Sequence, residues 1–222
     1  MEDLLKKIKV IYEDNHIIVV EKPINIPTCE DDSKDVDLLS LVKLYLKEKY
    51  NKPGNVYLGL VHRLDRPVGG IMVFAKTSKA ASRLNDQIRN NEVIKKYYAV
   101  ISGILKNKSD VLKDYLLKDS KMNKVIVDKK GKYAELDYKV IAEKENLSLV
   151  EVNLHTGRSH QIRVQFSSRN YPLFGDQKYN KKAIVGEQIA LYSYLLSFKH
   201  PISKEMMTFT LEKPNRYPFN LF

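Results

Sequence analysis

The chain has 222 residues, enough for one large domain or two small ones, and 43% of them are hydrophobic, ample for a core. Lys and Arg outnumber Asp and Glu by 38 to 27, a net charge of +11 that favours a polyanionic partner without distinguishing RNA from DNA or acidic lipid. The single cysteine, Cys29, excludes a disulfide within the chain and points to a reducing compartment; the acidic run after it opposes thiolate formation, so it reads as structural.

Ile8 to Tyr12 and Ile17 to Glu21 read as paired strands around an Asp14-Asn15 turn. Glu30 to Asp37 holds five acidic residues and one lysine, the composition of a surface loop. Leu38 to Tyr50, with Leu38, Leu41, Val42, Leu44 and Leu46, reads as an amphipathic helix ending before Pro53-Gly54.

The densest chemistry lies next, in Val61 to Thr77. Asp65 stands between Arg63 and Arg66, with His62 three residues before it, and Val68 to Ala75 carries no charge. The β-prone run Ile71 to Ala75 reads as a buried strand that would hold the preceding loop rigidly, as a catalytic carboxylate requires. On spacing alone, Asp65 is equally readable as one half of a salt bridge on a charged turn.

Ser78 to Asn90 reads as a second helix, with Ala80, Ala81, Leu84 and Ile88 on one side and Ser78 as N-cap; Tyr97 to Ile101 reads as a strand. Gly103 to Lys132 carries nine lysines and four aspartates, either a basic face for a polyanion or a solvated surface. Within and after it, Val111 to Leu117, Val125 to Val127, Ala134 to Ile141 and Ser148 to Leu154 read as strands separated by turns such as Lys130-Gly131. Ile162, Val164 and Phe166 in His160 to Ser168 fit either a short helix or a strand. Gln188 to Phe198, the longest apolar candidate, is too short and polar to span a bilayer, and MEDLLKKIKV lacks the apolar segment of a signal peptide, so the chain reads as cytoplasmic. The five histidines lack ligand spacing, and no metal is expected. Helices interspersed with many strands, without βαβ alternation or a glycine-rich phosphate fingerprint, give an α+β class with no nucleotide cofactor.

Five segments, in order, resemble the RluA-like family of RNA pseudouridine synthases. They are Tyr12 to His16 with Val19 to Pro23; His62-Arg63-Leu64-Asp65-Arg66; Lys95 to Ala99 with Gly103; Leu154 to Arg163 with Gly175-Asp176 and Tyr179; and Leu191 to Ile202. The family's small hydroxyl-bearing turn after the box is here Pro67-Val68-Gly69-Gly70, which puts turn hydrogen bonds in doubt but not the aspartate.

The resemblance implies the pseudouridine synthase fold, a bent, mixed but largely antiparallel sheet with flanking helices and a central active-site cleft. It implies one catalytic domain of two lobes over residues 1–222, without the amino-terminal S4-type RNA-binding domain that relatives often carry. It also favours the helix reading of His160 to Ser168. The implied reaction detaches uracil from ribose at N1 and reattaches it through C5, in ribosomal RNA, transfer RNA or both, with no cofactor. Asp65 is the implied catalytic carboxylate, Arg163 its cationic partner and Tyr97 the residue stacking on the base. His62, Arg63, Arg66, Lys95, Arg158 and His160 are the implied RNA contacts, with Lys95 and Arg158 alternatively supporting the cleft. Asp176 suits a turn-stabilising role. Nothing requires more than a monomer. Two other readings are a catalytically idle RNA-binding module, against which the presence of Asp65, Tyr97 and Arg163 together argues, and a glycosidase, which needs a second motif carboxylate.

Overall fold

The computed structural model describes residues 8–119, 122 and 124–222. The amino-terminal reading of residues 1–7 and the contribution of Lys121 to the basic stretch lie outside them. The chain divides into two compact units, residues 1–93 with 195–211, and residues 94–194 with 212–222.

In the first unit β1 (Lys9–Glu13) pairs antiparallel with β2 (Ile17–Lys22), and β2 pairs with β4 (Gly69–Ala75). The two-residue β3 (Gly59–Leu60) adds to the end of β4. Every residue of β4 is buried, which matches its uncharged sequence and makes it the rigid support behind Asp65. Helix α1 (Leu38–Lys49) is capped by Asp37, whose carboxylate accepts the Ser40 N–H at 3.0 Å. Helix α2 (Ser78–Arg89) buries Ala80, Ala81 and Leu84 in a core with Ile17, Val19, Ile71, Val73, Leu196 and Phe198. Its N-cap is Thr77 rather than Ser78: Thr77 has the extended backbone of a cap and its Oγ1 accepts the Ala80 N–H at 3.2 Å.

In the second unit the strand order is β5 (Ile94–Ser102), β9 (Leu147–Leu154), β8 (Lys132–Lys144), β6 (Ser109–Asp119), β7 (Lys124–Val127), with antiparallel neighbours throughout. The ambiguous segment is a helix, α3 (Gln161–Ser167). Its residues Gln161 to Phe166 are all buried, so no polar stripe marks its period. Val164 packs with Leu116, Val125 and Ala134. Strand β10 (Leu191–Lys199) begins in this unit and ends in the first, where its Leu195 to Lys199 pairs with β11 (Met206–Thr210). No helix among the described residues is long and apolar enough to cross a membrane.

Candidate active site

Asp65 is half-buried on the loop between β3 and β4. That loop is tied down at four points. The His62 imidazole accepts the Val73 N–H on Nε2 at 3.1 Å, one step along β4 from where β3 stops pairing. Buried Thr28 donates its hydroxyl to the Leu64 carbonyl at 2.8 Å and accepts the Leu64 N–H at 3.3 Å. The Val68 N–H closes a turn onto the Asp65 carbonyl at 2.9 Å. Lys22, wholly buried at the end of β2, donates to the carbonyls of Pro23, Arg66 and Val68 at 3.0, 3.0 and 2.8 Å. Backbone and lysine thus supply the turn bonds that Pro67-Val68, lacking hydroxyls, cannot.

Burial pushes the Lys22 ammonium down to about 7; the negative charge of Asp65 opposes this and Arg66 adds to it. Three carbonyl acceptors match the three N–H bonds of an ammonium, whereas a neutral amine would leave one carbonyl unmatched. A buried positive charge therefore lies within electrostatic reach of Asp65. Arg63 and Arg66 are exposed. The Arg66 guanidinium donates to the Ser33 hydroxyl at 3.0 Å and pairs with Asp35, both in the acidic loop.

In the second unit, Tyr97 is 6% exposed on β5, opposite Val152. Lys95 on the same strand is also buried, which pushes its ammonium pKa down, and its Nζ lies 3.7 Å from where a Cβ on Gly157 would stand. Lys95 thus lies beside the Thr156-Gly157-Arg158 loop. Gln161 holds the same loop from the other end. Its amide oxygen accepts the Arg158 N–H at 3.0 Å and the Thr156 hydroxyl at 2.8 Å, while its amide nitrogen donates to the Glu135 carbonyl and the Gln165 side chain. Arg158 is exposed, with Nε donating to the Tyr133 carbonyl at 2.8 Å.

Arg163, central in α3, is gripped by Asp176: Nε and Nη2 reach the two carboxylate oxygens at 2.8 and 2.7 Å. The guanidinium also lies 5.1 Å from the centre of the Tyr179 ring. The Tyr179 hydroxyl meets His160 Nδ1 at 2.7 Å and accepts the Val125 N–H at 2.9 Å. Asp176 does stabilise its turn, accepting the N–H groups of Lys178 and Tyr179 at 3.1 and 3.3 Å, but a turn role alone is too small a description.

Of the sequence-derived site residues, His62, Arg63, Asp65 and Arg66 share one loop, Lys95 adjoins the loop carrying Arg158, and Arg163 and His160 meet on Tyr179. The sequence reading missed Lys22, Thr28 and Gln161 as supports and gave Tyr179 no task. Lys22 and Gln161 stood inside the matched motifs, and that was their only signal. Among the described residues no cluster of three or more His, Cys, Asp or Glu is arranged to hold a metal ion. A half-buried carboxylate on a rigid loop can act as nucleophile or base without a metal.

The fold is that of solved pseudouridine synthase domains, and the relatives in sequence give the family. The solved structure of Human RNA Pseudouridylate Synthase Domain Containing 4 superposes with a TM-score of 0.82 over 99% of this chain and 93% of that one, at 21% identity. The chain is 34% identical to an uncharacterized RNA pseudouridine synthase of Aquifex aeolicus over 95% of its length and 71% of that protein. It is 32% identical to ribosomal large subunit pseudouridine synthase D of Zymomonas mobilis, over 93% of its length and 69% of that protein. Residues 16–168 match the model of the RNA pseudouridylate synthase family, and the chain belongs to that family of isomerases.

Proposed function

We propose that this chain isomerises particular uridines of ribosomal RNA to pseudouridine, with transfer RNA as the second substrate pool and Asp65 as the catalytic carboxylate. The observation that carries the reading is the half-buried Asp65 on a loop tied at four points, in a chain of this family. The ribosomal preference rests on the name of the Zymomonas mobilis relative.

The reaction breaks the N1–C1′ bond, turns the base, and forms the C5–C1′ bond, after which the C5 proton leaves to solvent and N1, no longer bonded to the sugar, gains a proton. No oxidant or phosphate energy is needed. Asp65 either attacks C1′ or removes a proton from the adjacent sugar carbon. It must be ionised in a site from which water is excluded, so cations are needed to offset desolvation. Lys22 is one such cation, and Arg163 is the second, which the family resemblance assigns. The target nucleotide is extruded from its stack at a cost of a few kcal/mol, and Tyr97 is the ring that would receive the base. Exposed Arg63, Arg66 and Arg158 suit phosphate contact, with Asp35 and Ser33 yielding Arg66 to the RNA. Buried Lys95, and His62 and His160 with one ring nitrogen each engaged, suit support of the RNA-binding loops.

The test is tritium release from unmodified ribosomal and transfer RNA labelled at C5 of uridine, followed by mapping of the modified positions. Release from defined positions of ribosomal RNA, with or without release from transfer RNA, is the expected result. Release only from transfer RNA would overturn the substrate assignment, and no release from either, with RNA binding intact, would overturn the activity.

A further inference from the structure

The acid that grips Arg163 has no part in the chemistry just described, yet the fold goes to some length to deliver it. Gly175, immediately before it, has φ +68°, and a Cβ there would lie 2.4 Å from the Gln188 carbonyl oxygen, so only glycine brings the chain through this point. Just before it the backbone is laced to β5 and to the segment that leads into β10: the Phe174 N–H donates to the Val100 carbonyl at 2.9 Å, and the Ala190 N–H to the Phe174 carbonyl at 3.0 Å. The Asp176 side chain is 0% exposed and that of Arg163 7%. From below, the Tyr179 ring faces the guanidinium, and its hydroxyl is itself fixed by His160 and by the edge of β7.

We propose that Asp176 is a positioning residue for the isomerisation, which with Tyr179 locks the Arg163 guanidinium in one orientation. The proposal rests on the assignment of Arg163 as the partner of the catalytic carboxylate. A planar guanidinium bound along its Nε–Nη2 edge and faced by a ring has its remaining Nη1 donors directed by geometry. The pair is close to neutral as a whole. Arg163 therefore serves a second anion through aimed N–H groups, pre-organised before substrate arrives, more than through net charge.

This gives a test in which charge and position predict opposite outcomes. Asp176→Asn keeps an oxygen for Nη2 and the turn but sets an NH2 against the Arg163 Nε–H, and it makes the protein more positive. If charge alone mattered, RNA turnover would hold or rise. Positioning predicts a fall of about 100-fold in the single-turnover rate, the scale of a small misplacement in an active site, with RNA affinity unchanged. Tyr179→Leu, which leaves the carboxylate in place, should slow the reaction by about 5- to 10-fold, the scale of one cation–π contact. An activity-independent readout is the Arg163 Nε–H signal in proton–nitrogen NMR, identified by its loss in Arg163→Lys. It should be slowly exchanging in the wild type and Tyr179→Leu, and exchange-broadened in Asp176→Asn. A wild-type rate or an unchanged Nε–H signal in folded Asp176→Asn would overturn the proposal. Absence of pseudouridine formation by the wild type would instead overturn the activity, with the clamp still read by NMR.

Discussion

Around Asp65 a buried ammonium gathers three backbone carbonyls, whereas around Arg163 a buried carboxylate and an aromatic ring grip a guanidinium. The first device fixes the path of the chain and leaves the reactive side chain to follow from it. The second fixes the side chain itself. The difference suits the lever arms: an aspartate has two torsions between backbone and carboxylate, so a rigid loop nearly suffices, while an arginine has four and needs to be held at its far end.

Removing the anchors measures how much each device contributes. Asp176→Ala strands a buried guanidinium and should cost about 3–5 kcal/mol, read by urea denaturation. Lys22→Met leaves three carbonyls without their donor and should cost at least about 3 kcal/mol, at roughly one per unsatisfied group. If Lys22→Met were neutral, the account of the Asp65 loop as a lysine-centred assembly would fail. Thr28→Val removes two weaker ties to Leu64 and should cost about 1–2 kcal/mol.

Glu13, on β1, gives a further test in pH. Burial pushes the Glu13 carboxyl up, but hydrogen bonds from Lys49, Lys76 and Tyr50 outweigh it and bring it from 4.5 to about 2. Between those values the unfolded chain takes up a proton that the folded one refuses, so this contribution is complete above pH 4.5 and is lost as pH falls toward 2. Glu13→Gln should flatten the acid limb of the stability profile; an unaltered limb would contradict the assignment. The smallest effect concerns RNA affinity. Replacing Lys124, Lys129, Lys130 and Lys132 by glutamine should weaken binding and reduce the slope of log K against log salt by roughly 0.7–0.9 for each phosphate no longer neutralised. An unchanged slope would make this stretch a solvated surface.

The strands and two longer helices were legible because alternation and helical spacing show in β8, α1 and α2. Strand β3 was not, being two residues long, and β11 lay beyond the matched closing segment. Helix α3 remained ambiguous for a physical reason: Gln161, Arg163 and Gln165 are as buried as Ile162, Val164 and Phe166, each with a polar partner, so exposure does not alternate in any period. In the site, the reactive and RNA-facing candidates of the motifs could be read and the contacts that support them could not. Lys22 meets Val68 across 46 positions, Thr28 meets Leu64 across 36, and Arg163 meets Asp176 across 13. No local pattern encodes such distances, and a glycine-aspartate turn looks the same whether or not its carboxylate is engaged.

The most direct test of the central claim compares wild type with Asp65→Asn on the same C5-tritiated RNA, measuring single-turnover release and RNA affinity side by side. The account predicts release that vanishes in the variant while affinity persists, because Lys22, Thr28 and His62 hold the loop. Undiminished release from Asp65→Asn would contradict it and move the chemistry to another residue.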